Sequence, residues 1–159
     1  TLCQNWEKEA QKAKSESTKV AIFRFGIVLG KNGGAFQKMI TPFKLGLGGI
    51  IGSGKQHFSY IHIEDLIEVY KFVIENSLDG VFNCTAPTPT TNYEFTKTLG
   101  RVLNRPTIFP IPEFVLKLIF SEGAKVLTDG QSVIPKRLLD LGFNFKYKNI
   151  DETLKNLAK

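Results

Sequence analysis

Cysteine, histidine, methionine and tryptophan are nearly missing from this chain: two, two, one and one among 159 residues. Cys3 and Cys84 stand far apart in no metal-ligand spacing, which argues against a disulfide framework and a metal site and points to a reducing cytoplasm. No apolar run reaches the roughly 20 residues of a spanning helix, and the charged, amphipathic first twenty residues do not resemble a signal peptide, so no membrane partner is expected. Repeats and low-complexity tracts are also lacking. Charge of one sign is in excess, with 21 Lys and Arg against 15 Asp and Glu. These cations are scattered, however (Lys8, Lys44, Lys71, Lys97, Lys125, Lys155), and the one adjacent basic pair is Lys136-Arg137. That is a solvated surface, not a nucleic-acid footprint.

What is present is a hydrophobic fraction of 42%, enough for a real core. The tract Gly49-Ile50-Ile51-Gly52-Ser53-Gly54-Lys55 comes close to a phosphate-binding P-loop. Gln56 stands where that loop needs Ser or Thr, and a strand pattern follows where a helix should aim its amides at the anion. The nucleotide-triphosphate reading is therefore rejected. The five glycines between Gly46 and Gly54 mark either a close backbone approach or a turn.

Periodicity predicts an opening helix with Leu2, Trp6, Ala10 and Ala13 on a buried face. The run Lys19 to Leu29 (KVAIFRFGIVL) reads as a strand covered on both faces. A helix carrying Phe36, Met39, Ile40 and Phe43 should end at Pro42 and Gly46. Phe58 to His62 alternates like a strand and then gives way to a helical face of Leu66, Val69, Tyr70 and Val73. Gly80 to Cys84 is a short strand. Thr91 and Glu94 have capping-box spacing at the start of a helix that Asn104 and Pro106 end. Thr107 to Ile111 reads as another strand. Helices follow at Phe114 to Ile119, from Pro135 with Gly142 as the stop, and from Asp151. This order fits an α/β unit over residues 1–111 and a small helical domain over 112–159. Because the chain opens with Thr1 inside a helical pattern and its only methionine is Met39, it is expected to begin within a longer protein.

Four segments resemble the carboxy-terminal half of an extended short-chain dehydrogenase/reductase: Trp6-Glu7, Arg24 to Gly30, Phe58 to Leu66, and the tail with Gly130-Gln131, Pro135 to Leu138 and Gly142 to Phe145. They are most similar to its atypical bacterial "epimerase family" branch, sometimes labelled cell-division-inhibitor homologue, which ends in a helical domain of unknown function. The resemblance implies a partial Rossmann-like fold with a helical tail. It also implies that NAD or NADP is bound mainly by a missing amino-terminal half with the Gly-rich fingerprint. Here Phe25, Gly26, Ile27 and Val28 would face the nicotinamide, and a small-molecule substrate would meet Gly30, Met39, Phe58, Tyr60 and Asn83. A homo-oligomer is left open, since the sequence does not give the oligomeric state.

Departures from the family pattern bear on chemistry. Aligning Glu7 with the glutamate that follows the usual Tyr-x-x-x-Lys pair puts Cys3 at the lysine position, so the catalytic residues are left unassigned. Phe58 stands where sugar-nucleotide enzymes place a diphosphate-binding arginine, and Ile27 where they place an asparagine. A nucleotide-diphosphate sugar is thus not the expected substrate. The expectation is the substrate half of an NAD(P)-linked epimerase/dehydratase-like oxidoreductase, inactive on its own. The alternative is a pseudoenzyme kept as an interaction module.

Single residues read mostly as structural. His62 is expected to be a hydrogen-bonded buried histidine, Asp65 the N-cap of the next helix, Cys3 inert, and Arg24 paired with Glu7. Asn83 and Thr85 are either pocket-lining or turn-capping, and Lys136 and Arg137 are solvated.

Overall fold

The computed structural model describes residues 2–108, 110–111 and 130–158. Helix α1 (Leu2–Gln11) precedes strands β1 (Ala21–Phe25) and β2 (Ile27–Leu29). Then follow α2 (Gly34–Lys44), β3 (Tyr60–His62), α3 (Ile63–Glu75), β4 (Gly80–Cys84) and α4 (Asn92–Val102), and in the tail α5 (Lys136–Asp140) and α6 (Ile150–Leu157). The helix expected from Pro112 to Ile119 lies outside the described residues.

The apolar run before residue 30 is two strands with different partners, not one. β1 pairs in parallel with β4 from Ala21↔Gly80 to Phe25↔Cys84, and β2 pairs in parallel with β3 from Ile27↔Tyr60 to Leu29↔His62. The change of partner falls at Gly26. Its N–H still reaches Cys84 O (3.4 Å), whereas the Ile27 N–H already donates to Ser59 O (2.9 Å). A Cβ at Gly26 would lie 2.4 Å from Ser59 O, so only glycine allows the approach that makes the switch. Coverage on both faces is likewise not met in β1: Arg24 is exposed and Phe25 is 55% exposed.

β3 does have both faces covered, which is why its alternation alone could not tell inside from outside. Phe58 and Tyr60 join a core with Leu29, Phe36, Ile40, Phe95, Leu99 and the α6 residues Leu154 and Leu157. Ile61 points the other way, into a second core with Leu66, Val69 and Val73 of α3, Phe82 of β4, and Leu138 and Phe145 of the tail. Tail residues thus complete both cores.

Several expectations need correction. In α1 no residue is buried, Leu2 and Trp6 are 62% and 63% exposed, and Ala13 lies past its end. Pro42 sits inside α2. It is within the last turn, and the chain recovers there through Leu45 N–H to Thr41 O and Leu47 N–H to Pro42 O before Gly46 turns it with φ 76°. Thr107 to Ile111 is no strand among its described residues. Ile111 contributes one isolated parallel bridge to Ile51. Pro135 is the N-cap of α5, and Asn149 caps α6, whose side chain accepts the Glu152 N–H. The capping box is present, with Thr91 and Glu94 each accepting the other's backbone N–H. Gly142 follows α5 at φ 80°.

No helix follows Lys55, as the rejection of a P-loop requires. The Gly-rich loop is instead pinned to the start of α4, where Asn92 Oδ1 accepts the Ile51 N–H (2.9 Å) and the Tyr93 N–H donates to Gly54 O (2.9 Å).

Candidate functional site

Parallel strands leave a crevice beyond their carboxyl ends. Here β2 and β3 end side by side at Leu29 and His62, and a cleft of about 660 Å³ opens past them. One wall is the turn Gly30-Lys31-Asn32-Gly33, closed by a Gly30↔Gly33 bridge, from which α2 starts. Another is the start of α3, with Ile63 and Glu64, and a third is Asn156 and Leu157 from α6.

His62 organises this junction. Its Nδ1 accepts the Glu64 N–H (3.1 Å), which makes His62 the N-cap of α3 in the place expected for Asp65. Its Nε2 is 3.1 Å from Asn156 Oδ1, and its ring stacks on Tyr147 at 3.8 Å. Burial lowers its proton affinity below the ordinary histidine value, although the Asn156 bond and the Glu64 and Asp65 carboxylates oppose this. The structural reading of His62 therefore holds, with the addition that the residue lines the cleft.

Asp65 is a clamp between distant segments rather than a cap. Being third in α3 and 2% exposed, it accepts the backbone N–H groups of Lys146 (2.8 Å) and Tyr147 (3.0 Å). Burial raises its pKa, while these two bonds pull it back. Glu64 accepts from Lys146 Nζ (2.7 Å) and Tyr147 Oη (3.1 Å), and the Lys146 bond lowers its pKa. Just before β3, Ser59 Oγ donates to Gln131 O (2.5 Å), and just after β4, Thr85 Oγ1 donates to Val133 O (3.0 Å).

The residues named from sequence divide into separate places. Val28 and Gly30 line the cleft. Met39, Phe58 and Tyr60 are brought together in the core, with the Phe58 ring tilted against Phe95 at 4.4 Å. Asn83 is half-buried opposite Arg24 in the β1–β4 register. Phe25 is exposed beside the Gly26 switch, Ile27 is half-buried, and Cys3 is exposed on α1. Glu7 and Arg24 form the expected pair, in two parallel bonds of 2.7 and 2.5 Å. Arg137 is not simply solvated: it covers the Phe82 ring at 4.2 Å and donates to Val81 O. Lys136 meets Asp140 on the surface. Cys84 is buried, which pushes its thiol pKa up to about 12 and leaves it inert.

Sequence reasoning missed Lys31, Asn32, Glu64 and Asn156 as cleft residues. The first two sit between glycines at a strand end, a readable signal. Asn156 lies on the polar face of α6, where nothing in the spacing distinguishes it. Among the described residues, no group of three or more His, Cys, Asp or Glu could hold a metal, and no helix is long and apolar enough to cross a membrane.

The profile of a family described as "Domain of unknown function (DUF1731)" matches residues 111–157. An Arabidopsis thaliana protein, "Epimerase family protein SDR39U1 homolog, chloroplastic", is 45% identical over 99% of this chain and 46% of its own length. The Staphylococcus aureus (strain N315) protein SA0724, also named an epimerase family protein, is 42% identical over 97% of this chain and 52% of its own. The crystal structure of the human epimerase family protein SDR39U1 with NADPH superimposes with a TM-score of 0.91 at 41% identity, covering 99% of this chain and 54% of that one. The chain is similar to SDR39U1 epimerase family proteins over nearly all of its length. Its α/β fold is Rossmann-like, and its residues 111–157 match the DUF1731 model. It spans about half the length of the curated relatives it matches, and they come from a plant as well as a bacterium, so the likeness is not confined to a bacterial branch.

Proposed function

We propose that this chain is the substrate-side half of an NAD(P)-linked epimerase/dehydratase-like oxidoreductase acting on a small molecule that is not a nucleotide-diphosphate sugar. The observation that carries the reading is the cleft beyond β2 and β3 in a fold so close to that of a human protein crystallised with NADPH. Phe25 to Val28 run past the Gly26 switch toward that cleft, and the exposed Phe25 ring offers a flat apolar face suited to one side of a nicotinamide. A bound dinucleotide would supply the hydride chemistry. The pyrophosphate would be held by other residues, since the glycine fingerprint is not in this sequence. Rejection of a diphosphate-linked substrate follows from the resemblance, in which Phe58 takes the place of a phosphate-binding arginine; at 2% exposed it offers no charge to a phosphate.

Titrating NADPH into the protein as its source cell makes it, followed by nicotinamide fluorescence, tests the reading. Saturable binding that Phe25→Asp weakens, together with NADPH oxidation by a carbonyl compound, is the expected result. A protein of that length that binds no dinucleotide would end the proposal.

A further inference from the structure

A chain of hydrogen bonds runs from the α3 backbone through His62 to Asn156 near the carboxyl end of the sequence. Because His62 Nδ1 is the acceptor of the Glu64 N–H, a neutral ring must carry its proton on Nε2. That N–H needs an acceptor at 3.1 Å, which selects the oxygen and not the nitrogen of the Asn156 amide. With Oδ1 committed to His62, the remaining polar group of the side chain is the Nδ2 donor pair, on a residue that lines the cleft. The alternative assignments conflict with the geometry. A proton on Nδ1 would oppose the Glu64 N–H, and a doubly protonated ring would lose the helix cap. Burial favours the neutral ring over the charged one despite Glu64 and Asp65, and Lys146 acts in the same direction as burial.

Buried anchors hold α6 in place beside the ring. Leu154 and Leu157 are 0% and 4% exposed in the first core, and the segment before α6 is tied down by the Asp65 clamp and the Tyr147 stack. The helix backbone that presents Asn156 is therefore fixed to the same junction as the ring that orients its amide.

We propose that Asn156 is a specificity-determining residue of the cleft, oriented by His62 so that the DUF1731 helix α6 donates a hydrogen bond from Nδ2 to an acceptor oxygen of the substrate. This gives the tail a task beyond completing the cores: it is the donor wall of the site. The inference rests on the cleft being the substrate site of the preceding section, and His62 acts as a positioning residue.

Two measurements on the native-length protein decide it. The first, without cofactor or substrate, is the ¹⁵N spectrum of the His62 ring: the Nε2–H neutral tautomer is expected, and Asn156→Ala is expected to lose that preference. An Nδ1–H ring in the unmodified protein overturns the proposal. The second uses Asn156→Asp, nearly isosteric and still an acceptor for His62 but without donors, assayed well above neutral pH so that the new carboxylate does not draw a second proton onto the ring. For the carbonyl compound that supports NADPH oxidation, KM should rise roughly tenfold with kcat little changed and NADPH affinity unaltered. A KM within twofold of the unmodified protein overturns it. Absence of NADPH binding would instead sink the functional reading, while the His62 tautomer would still decide how Asn156 is oriented.

Discussion

The two ends of the described chain are attached to the α/β body in opposite ways. Helix α1 is held by the Glu7–Arg24 pair and buries no residue, with its apolar stripe Leu2 and Trp6 turned to solvent. The tail buries Leu138, Phe145, Ile150, Leu154 and Leu157, and its backbone is gripped by a buried carboxylate. Exposed ion pairs contribute little, whereas buried apolar area and satisfied buried amides contribute most of what holds a segment. The tail is thus part of the folding unit, and α1 in this chain is an appendage.

The largest effect should come from cutting the tail's anchor. Leu154→Ala empties a 0% exposed site in the first core and should cost about 3 kcal/mol in urea denaturation; a loss below about 1 kcal/mol would show that α6 is not integral to that core. Next is Asp65→Ala, which leaves the Lys146 and Tyr147 amides without an acceptor in a buried place. A loss of about 2 kcal/mol is expected, with faster amide hydrogen exchange at Lys146 and Tyr147. Unchanged protection of those two amides would mean the clamp is dispensable.

Acid should loosen the same junction. His62 takes up a proton less readily in the folded chain than at its ordinary value of 6.5. Below that pH the unfolded chain binds more protons, so stability is whole above 6.5 and is lost as pH falls through the window beneath it. Asp65, whose pKa is raised from 3.8, acts in the opposite sense nearer that value. The urea midpoint should therefore fall between pH 7.5 and 5.5. In His62→Asn, where the amide oxygen can still cap α3, that part of the slope should vanish. An identical slope in both proteins would assign the effect to other groups.

How much of this was legible beforehand depended on range. Local signals held: the Thr91–Glu94 capping box, the Gly142 stop and the Arg24–Glu7 pair follow from residue chemistry within a few positions or from one unpaired charge. The family likeness rested on ordered segments, and the fold it implied is the one found. Asp65 was misread because a helix-start aspartate is usually a cap, and its partners lie 81 and 82 residues away. Trp6 was misread because amphipathic spacing says which face is apolar, not whether anything covers it. The strand break was missed because Gly26 inside an apolar run looks like a flaw until Ser59 is seen against it. In the site, the glycine-bracketed turn could be read at a strand end, but Asn156 could not, since its importance comes only from what packs beside it.

Tyr60→Phe should be close to neutral or slightly stabilising. The hydroxyl is buried without a hydrogen bond, and the Thr153 hydroxyl beside it donates to Asn149 O (3.0 Å). Burial raises the phenol's pKa, so the group stays neutral, and removing it takes away an unsatisfied polar atom. A change within about 1 kcal/mol, in the stabilising direction if any, is expected by chemical denaturation. A clear loss of stability would reveal a hydrogen bond at Oη and remove this contrast with Asp65, whose buried oxygens are both used.

The smallest effect belongs to α1, and it sharpens the comparison most. Trp6→Ser removes a large side chain that is 63% exposed, and in the 159-residue chain it should shift stability by no more than about 0.5 kcal/mol. Its relatives are about twice as long, which allows a second measurement with a different answer. If the rest of a native-length protein packs on the Leu2–Trp6 stripe, the same substitution there should cost several times more, because burial and not residue type sets the cost of truncating an aromatic side chain. Equal, small losses at both lengths would mean that the stripe stays open in the whole protein. The difference between the two ends of the chain would then be intrinsic to the fold, with one end tied by packing and the other chiefly by polar contacts such as the Glu7–Arg24 pair.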